Sequence, residues 1–147
     1  MRKAISISLV VFVVALVGAQ AVRINTVNPP VEGDVAAPPP VDTILRRACY
    51  DCHSNQTVWP WYSQIAPLSW LLANDVKEGR RELNFSKWST YDAKKRAKKL
   101  TEIAKEVGEG EMPPWYYVLV HSDAKLAGTD RDTVRVWTLE EAGKLAR

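Results

Sequence analysis

Cysteine, histidine and methionine are all scarce in this chain of 147 residues, with two of each. Two cysteines cannot staple a small secreted fold, so a disulfide scaffold is excluded. No cysteine follows the apolar N-terminal stretch, which argues against a lipid-modified N-terminus. No internal repeat, Ser-His-Asp arrangement, phosphate-binding loop or paired-carboxylate motif is present. Strand patterning is also missing, because Tyr116 to His121 is the only β-like run and it is short.

What remains is the composition of one folded domain, 46% apolar and 25% charged, with six tryptophans suited to lining something large and flat. The net charge of +3 hints at an anionic partner. Two of the 20 basic residues, Arg2 and Lys3, lie in the first 21 positions, which hold no acidic residue. The rest carries 18 basic against 17 acidic side chains, so the case for nucleic acid falls away. Residues 1–21 read as a signal peptide or an uncleaved signal anchor. They comprise a basic start, an apolar core from Ala4 to Val17, and small residues at Ala19 and Ala21 where a signal peptidase reads. The apolar run is just about long enough to span a bilayer, and anchoring through residues 4–22 stays open beside cleavage. Both readings export the body of the protein.

Residues 22–40 hold five of the nine prolines and read as a Pro-rich linker or as a tail lying across the domain surface. From residue 41 to 147 the pattern is that of a mostly α domain. Val41, Ile44, Leu45 and Ala48 share one helix face. A second helix is expected from Ser69 as cap to about Arg81, with Leu71, Leu72 and Val76 inward. A third runs through Ala93, Ala97, Leu100, Ile103, Ala104 and Val107 and stops at Gly108 and Gly110. A fourth is expected from Thr129, with Asp132 as a weak capping signal. The Lys94–Lys99 run is read as the solvated face of the third helix rather than a docking site.

Cys49-Tyr50-Asp51-Cys52-His53 is C-x-x-C-H, the attachment signature of c-type haem. Two cysteines three apart at a helix end each reach one vinyl group of a porphyrin, and the adjacent His53 is directed at the iron as proximal ligand. A thioredoxin-like dithiol, a zinc site or a local disulfide would each leave His53 unexplained. Met112 is the only methionine of the exported body and lies 59 positions after His53, in a stiff Gly-Glu-Met-Pro-Pro loop. A methionine followed by two prolines cannot sit inside a helix, so Met112 is preferred as the distal ligand over the rival His121. Trp59, Trp61 and Tyr62, and Trp115 with Tyr116 and Tyr117, sit beside the proposed ligands and are expected as apolar haem walls. Trp70, Trp88 and Trp137 are expected in the core. A backbone carbonyl near Pro60 or Pro67 is the expected partner of the second His53 nitrogen. Asn55-Gln56-Thr57 matches a glycosylation sequon, as three-residue patterns do by chance.

Arg47-Ala48-Cys49-Tyr50-Asp51-Cys52-His53-Ser54-Asn55, Trp59-Pro60-Trp61-Tyr62 and Ile65-Ala66-Pro67 resemble the small bacterial haem-binding-domain family of c-type cytochromes. So do Asp75-Val76, Glu78-Gly79-Arg80, Leu83-Asn84-Phe85 with Trp88, and Met112-Pro113-Pro114. The resemblance covers nearly the whole body, from Asn28 to Trp137. A mild departure is Gly128-Thr129-Asp130-Arg131, where a slightly different helix start would be expected. The resemblance implies a mostly helical, cytochrome c-like domain, exported or N-terminally anchored, around one haem c. It implies that Cys49 and Cys52 bind haem covalently, that His53 ligates iron and that Met112 is the sixth ligand. The expected protein is a periplasmic one-electron carrier, not an enzyme, with a redox protein or membrane electron-transfer complex as partner. The alternative is a diatomic-ligand sensor or peroxidase-like protein with a labile sixth ligand.

Overall fold

The periodicity of residues 93–107 locates the centre of the molecule. In a computed structural model, which describes residues 2–147 with side chains from residue 5 onward, Leu100, Ile103, Ala104 and Val107 form the buried face of a helix. The described residues contain seven α-helices: α1 (Arg2–Ala19), α2 (Pro39–Ala48), α3 (Tyr50–His53), α4 (Leu68–Glu82), α5 (Ala93–Glu109), α6 (Trp115–Val120) and α7 (Gly128–Leu145). The long helices α5 and α7 pack along each other, α7 contributing Val134, Trp137, Thr138 and Ala142. The Asp92 carboxylate caps α5 by accepting from the Lys95 N–H at 2.7 Å. Gly110 ends it at φ 81°, in the left-handed region that glycine enters without a Cβ clash.

Helix α2 buries Val41, Ile44, Leu45 and Ala48 as its spacing predicts, and it carries prolines in its first turn, where no N–H is missed. Between α2 and α5 the core is completed by Tyr50 and Phe85, stacked 5.2 Å apart. Among the described residues no β-strand forms, and only an isolated bridge joins Gly33 to Lys87.

Several sequence expectations are corrected here. Residues 22–38 lie against the domain as a strap. Asn28 Nδ2 donates to Thr57 O, Asn55 Nδ2 donates to Pro30 O, the Glu32 and Gly33 N–H groups donate to Ser86 O, and Val35 enters the core. Prolines hold this segment extended, so its carbonyls are free to accept bonds from the domain. The β-like run at 116–121 is helical. Pro114 supplies the extended N-cap of α6, and Trp115 and Leu119, four apart, both point to solvent. Ser69 does not cap α4, which starts at Leu68 after Pro67, and Ser69 is buried. Helix α7 starts at Gly128, and the carboxylate serving its first turn is Asp130, which accepts from the Ala127 N–H at 3.0 Å and pairs with Arg47 at 2.7 Å.

Trp137 is in the core and Trp88 packs against it, but Trp70 is surface-exposed and donates to Val22 O. Asn55 of the sequon is buried, bonded to Pro30 O and Asn84, and so is closed to modification. Among the described residues no helix is long and apolar enough to cross a membrane.

Phe85 is 1% exposed and Trp61 78%. Phe85→Ala should therefore cost about 3–5 kcal/mol in denaturant unfolding, whereas Trp61→Ala should stay within about 0.5 kcal/mol of the parent.

Candidate functional site

Helix α2 ends at Ala48, and Cys49 breaks the chain with φ −127° and ψ −35° before the single turn of α3. The Cys52 and His53 N–H groups return to Cys49 O, so the two sulfurs stand one turn apart. Tyr50 points the other way, into the core, with its hydroxyl donating to Asp34. Cys49, Cys52 and His53 thus share one side of the turn because Tyr50 anchors the opposite side.

His53 is oriented from α4. Its Nδ1 lies 2.9 Å from Gly79 O and 3.2 Å from Leu83 O. Both partners are carbonyls and only accept, so Nδ1 carries the proton and Nε2 keeps its lone pair. Burial is the largest influence on the ring and holds its pKa below the ordinary value, which keeps it neutral. The expected carbonyl near Pro60 or Pro67 is thereby corrected to the C-terminal turn of α4. The contact is so close that a Cβ on Gly79 would fall 2.6 Å from Cys52 O, so only glycine lets α4 approach the motif.

The cysteines are not joined to each other. Burial, first of all, pushes both thiols up to about 12. A catalytic dithiol needs the opposite shift, toward thiolate. Among the described residues no group of three or more His, Cys, Asp or Glu side chains is arranged to hold a metal ion.

A cleft opens over this turn in two lobes. One, of 280 Å³, is walled by Cys49, Cys52, His53, Asp75, Gly79, Met112, Pro113, Pro114, Tyr116 and Tyr117. The other, of 470 Å³, is walled by Cys49, His53, Leu83, Phe85, Lys99, Ile103, Val107 and Met112, with acidic residues at its edge. Cys49, His53 and Met112 border both lobes, so the two are continuous around them. Met112 is placed by the end of α5: the N–H groups of Gly110, Glu111 and Met112 all turn back to Glu106 O. Pro113 and Pro114 then carry the chain across the cleft mouth.

Of the residues singled out from sequence, the structure brings together Cys49, Cys52, His53 and Met112. The aromatic walls are Tyr116 and Tyr117 from the second cluster; Trp115 in the same cluster is 75% exposed and points away. Trp59, Trp61 and Tyr62 line neither lobe. The Trp59 Nε1 group is buried without a hydrogen-bond partner, and Trp61 is on the surface.

His121 also lies off the cleft. It stacks on Tyr117 at 4.1 Å, and its Nε2 is 3.2 Å from the Tyr62 hydroxyl. Its role is to back the wall, because Tyr117 in turn donates to Asp51 at 2.8 Å. Sequence reasoning missed the two α4 carbonyls, the Asp51–Tyr117 bond and Arg80, which bonds Ser54 O, Asn28 and Thr57 and clamps the chain leaving the motif. For Tyr116 and Tyr117 the signal was available: a helical reading of residues 115–120 puts them on the face opposite Trp115 and Leu119.

Fold and cleft together define a mostly helical protein built around an apolar cofactor-sized site. Residues 10–140 match the family model described as a haem-binding domain, and the chain belongs to that family. Comparison with curated proteins and with solved structures finds no match.

Gly79 and Gly143 make a discriminating pair. Gly79→Ala should lower both stability and the amount of haem retained, because α4 must retreat from Cys52. Nothing lies within 4 Å of a Cβ at Gly143 in α7, and Gly143→Ala should stabilise by about 0.5–1 kcal/mol with haem content unchanged. Thermal unfolding and the haem-to-protein absorbance ratio check both.

Proposed function

We propose that the protein is an exported mono-haem c-type cytochrome acting as a one-electron carrier. The observation that carries the reading is the pinned His53. Its Nδ1 is fixed by the Gly79 and Leu83 carbonyls, its Nε2 is left as a donor, and its cleft also carries two unpaired thiols and a thioether. That donor set fits haem c. Cys49 and Cys52 would each add across one vinyl group, sulfur bonding to the carbon next to the ring and the thiol hydrogen going to the terminal carbon. No electrons are gained or lost in that addition. Haem, when bound, supplies a reversible one-electron couple at iron.

The chain's own residues do the rest. His53 Nε2 would ligate one side, its basicity raised by the two carbonyls behind Nδ1. Met112 would ligate the other side, which favours a higher reduction potential than a second histidine would. The loop from Gly110 to Pro114 restrains the thioether, which supports a closed, six-coordinate site over the ligand-sensing alternative. Tyr116, Tyr117, Pro113 and Pro114 exclude water from that lobe. The basic start and apolar core of residues 1–21 support export to the periplasm, where haem attachment to c-type proteins occurs, with the segment either cleaved or kept as a tether through residues 4–22. Its partner is a redox protein or a membrane electron-transfer complex.

The test is made on protein produced alongside haem-maturation machinery. A denaturing gel stained for haem should show a coloured band, lost in the Cys49→Ser/Cys52→Ser double variant; a colourless parent band ends the reading. Met112→Ala should convert the low-spin spectrum to high-spin and admit CO in the reduced state, while His121→Ala keeps the parent spectrum. Loss of low-spin character in the His121 variant alone would overturn the ligand assignment, and rapid stoichiometric CO binding by the parent would overturn the closed carrier.

A further inference from the structure

In a chain that is 25% charged, residues 57–74 and 112–120 carry no charged side chain. The fold joins these two stretches into one face. The Tyr62 hydroxyl meets His121 at the end of α6, and Tyr116 of α6 shares the wall of one cleft lobe with Asp75 in the middle of α4. Around those two links Trp61 (78%), Ile65 (41%), Leu68 (52%), Leu71 (52%), Trp115 (75%) and Leu119 (74%) are left to solvent. Contiguous apolar surface on that scale marks an interaction site rather than chance exposure.

What covers it is indicated by where α1 leaves the domain. Gln20 clasps the Ala66 backbone in both directions, Nε2 donating to Ala66 O and Oε1 accepting from Ala66 N–H, each at 3.0 Å. Arg23 donates to Gln64 O, and Trp70 donates to Val22 O. The apolar helix, its side chains from Ile5 to Val14 exposed along its length, is therefore fixed at its C-terminal end beside the same uncharged face. Helix α1 has 18 residues, about 27 Å at 1.5 Å per residue, which is short of the roughly 30 Å hydrocarbon core.

We propose that this face is a membrane-contact surface, sunk into the headgroup boundary of the bilayer that α1 enters. Burial by about 5–10 Å, the depth usual for interfacial apolar faces, makes up the missing length of α1 and places Trp61 and Trp115 where membrane proteins concentrate tryptophan. Without charged side chains the face needs no anionic lipid, and it offers no ion pair to an acidic or basic protein partner. It also turns the Tyr116 edge of the cleft, 40% exposed, toward the membrane plane, so that electrons would be exchanged close to the bilayer. The inference rests on α1 being retained as the tether.

The experiment uses the full haem-loaded chain, one copy per phosphatidylcholine nanodisc, with hydroxyl-radical footprinting normalised to each residue in the unfolded chain. Trp61, Trp115 and Leu119 should be oxidised several-fold more slowly than Val136 and Leu139, which are exposed on α7. The double variant Leu68→Lys/Leu71→Lys, at two half-exposed positions, should restore oxidation at Trp115 while the chain stays with the disc. A disc-bound chain with Trp61 and Trp115 as reactive as the α7 residues overturns the proposal and leaves the face to a protein partner. A chain that does not associate with discs at all removes the tether reading, and this inference with it.

Discussion

The site depends on two carbonyl oxygens at the end of α4. Gly79 O and Leu83 O hold His53 Nδ1, and that choice of proton position turns a titratable side chain into a fixed nitrogen donor. The bond requires α4 to lie almost in contact with Cys52, which requires residue 79 to have no side chain. Gly79 O also accepts the Leu83 N–H that closes the helix, so one carbonyl serves the last turn and the imidazole together, and Leu83 O lies just past the helix end. One close approach thereby positions the donor and presses the second cysteine against the same helix.

Everything around that contact stiffens it from a different direction. Phe85 N–H donates to His53 O, while Arg80 bonds Ser54 O and ties the strap at Asn28 to Thr57. Asn55, Ser86 and Asn84 form a buried polar network between the strap and the motif. On the far wall Asp51, one residue before Cys52, accepts from Tyr117, and His121 stacks behind that ring. The polar groups buried here are nearly all paired, the condition under which such networks confer rigidity instead of cost.

Helices α2 and α5 were legible because each buries a single stripe, and a stripe at three- and four-residue spacing survives in the sequence. Helix α6 was not. Six mostly apolar residues with β-branched members satisfy a strand as well as a helix, and Pro113 and Pro114 with the Tyr116–Asp75 contact decide between them. Cys49, Cys52, His53 and Met112 were legible because so few residues of their kind exist in the chain. The walls were not, because the six aromatic residues near the motif and the Met-Pro-Pro loop have equal claims by position. Only the helical phase of α6 separates Tyr116 and Tyr117 from Trp115.

The chemical groups of the cleft thus belong to the sequence: C-x-x-C-H at one end and a lone methionine before two prolines at the other supply two thiols, an imidazole and a thioether. Their orientation belongs to the tertiary structure. The carbonyls that set the His53 tautomer lie 26 and 30 residues away from it, and strap residues Asp34 and Pro30 bond Tyr50 and Asn55 across 16 and 25 residues. No local spacing encodes such pairings. They exist because α4 must bury Leu72 and Val76, and burying that face brings Gly79 down onto Cys52.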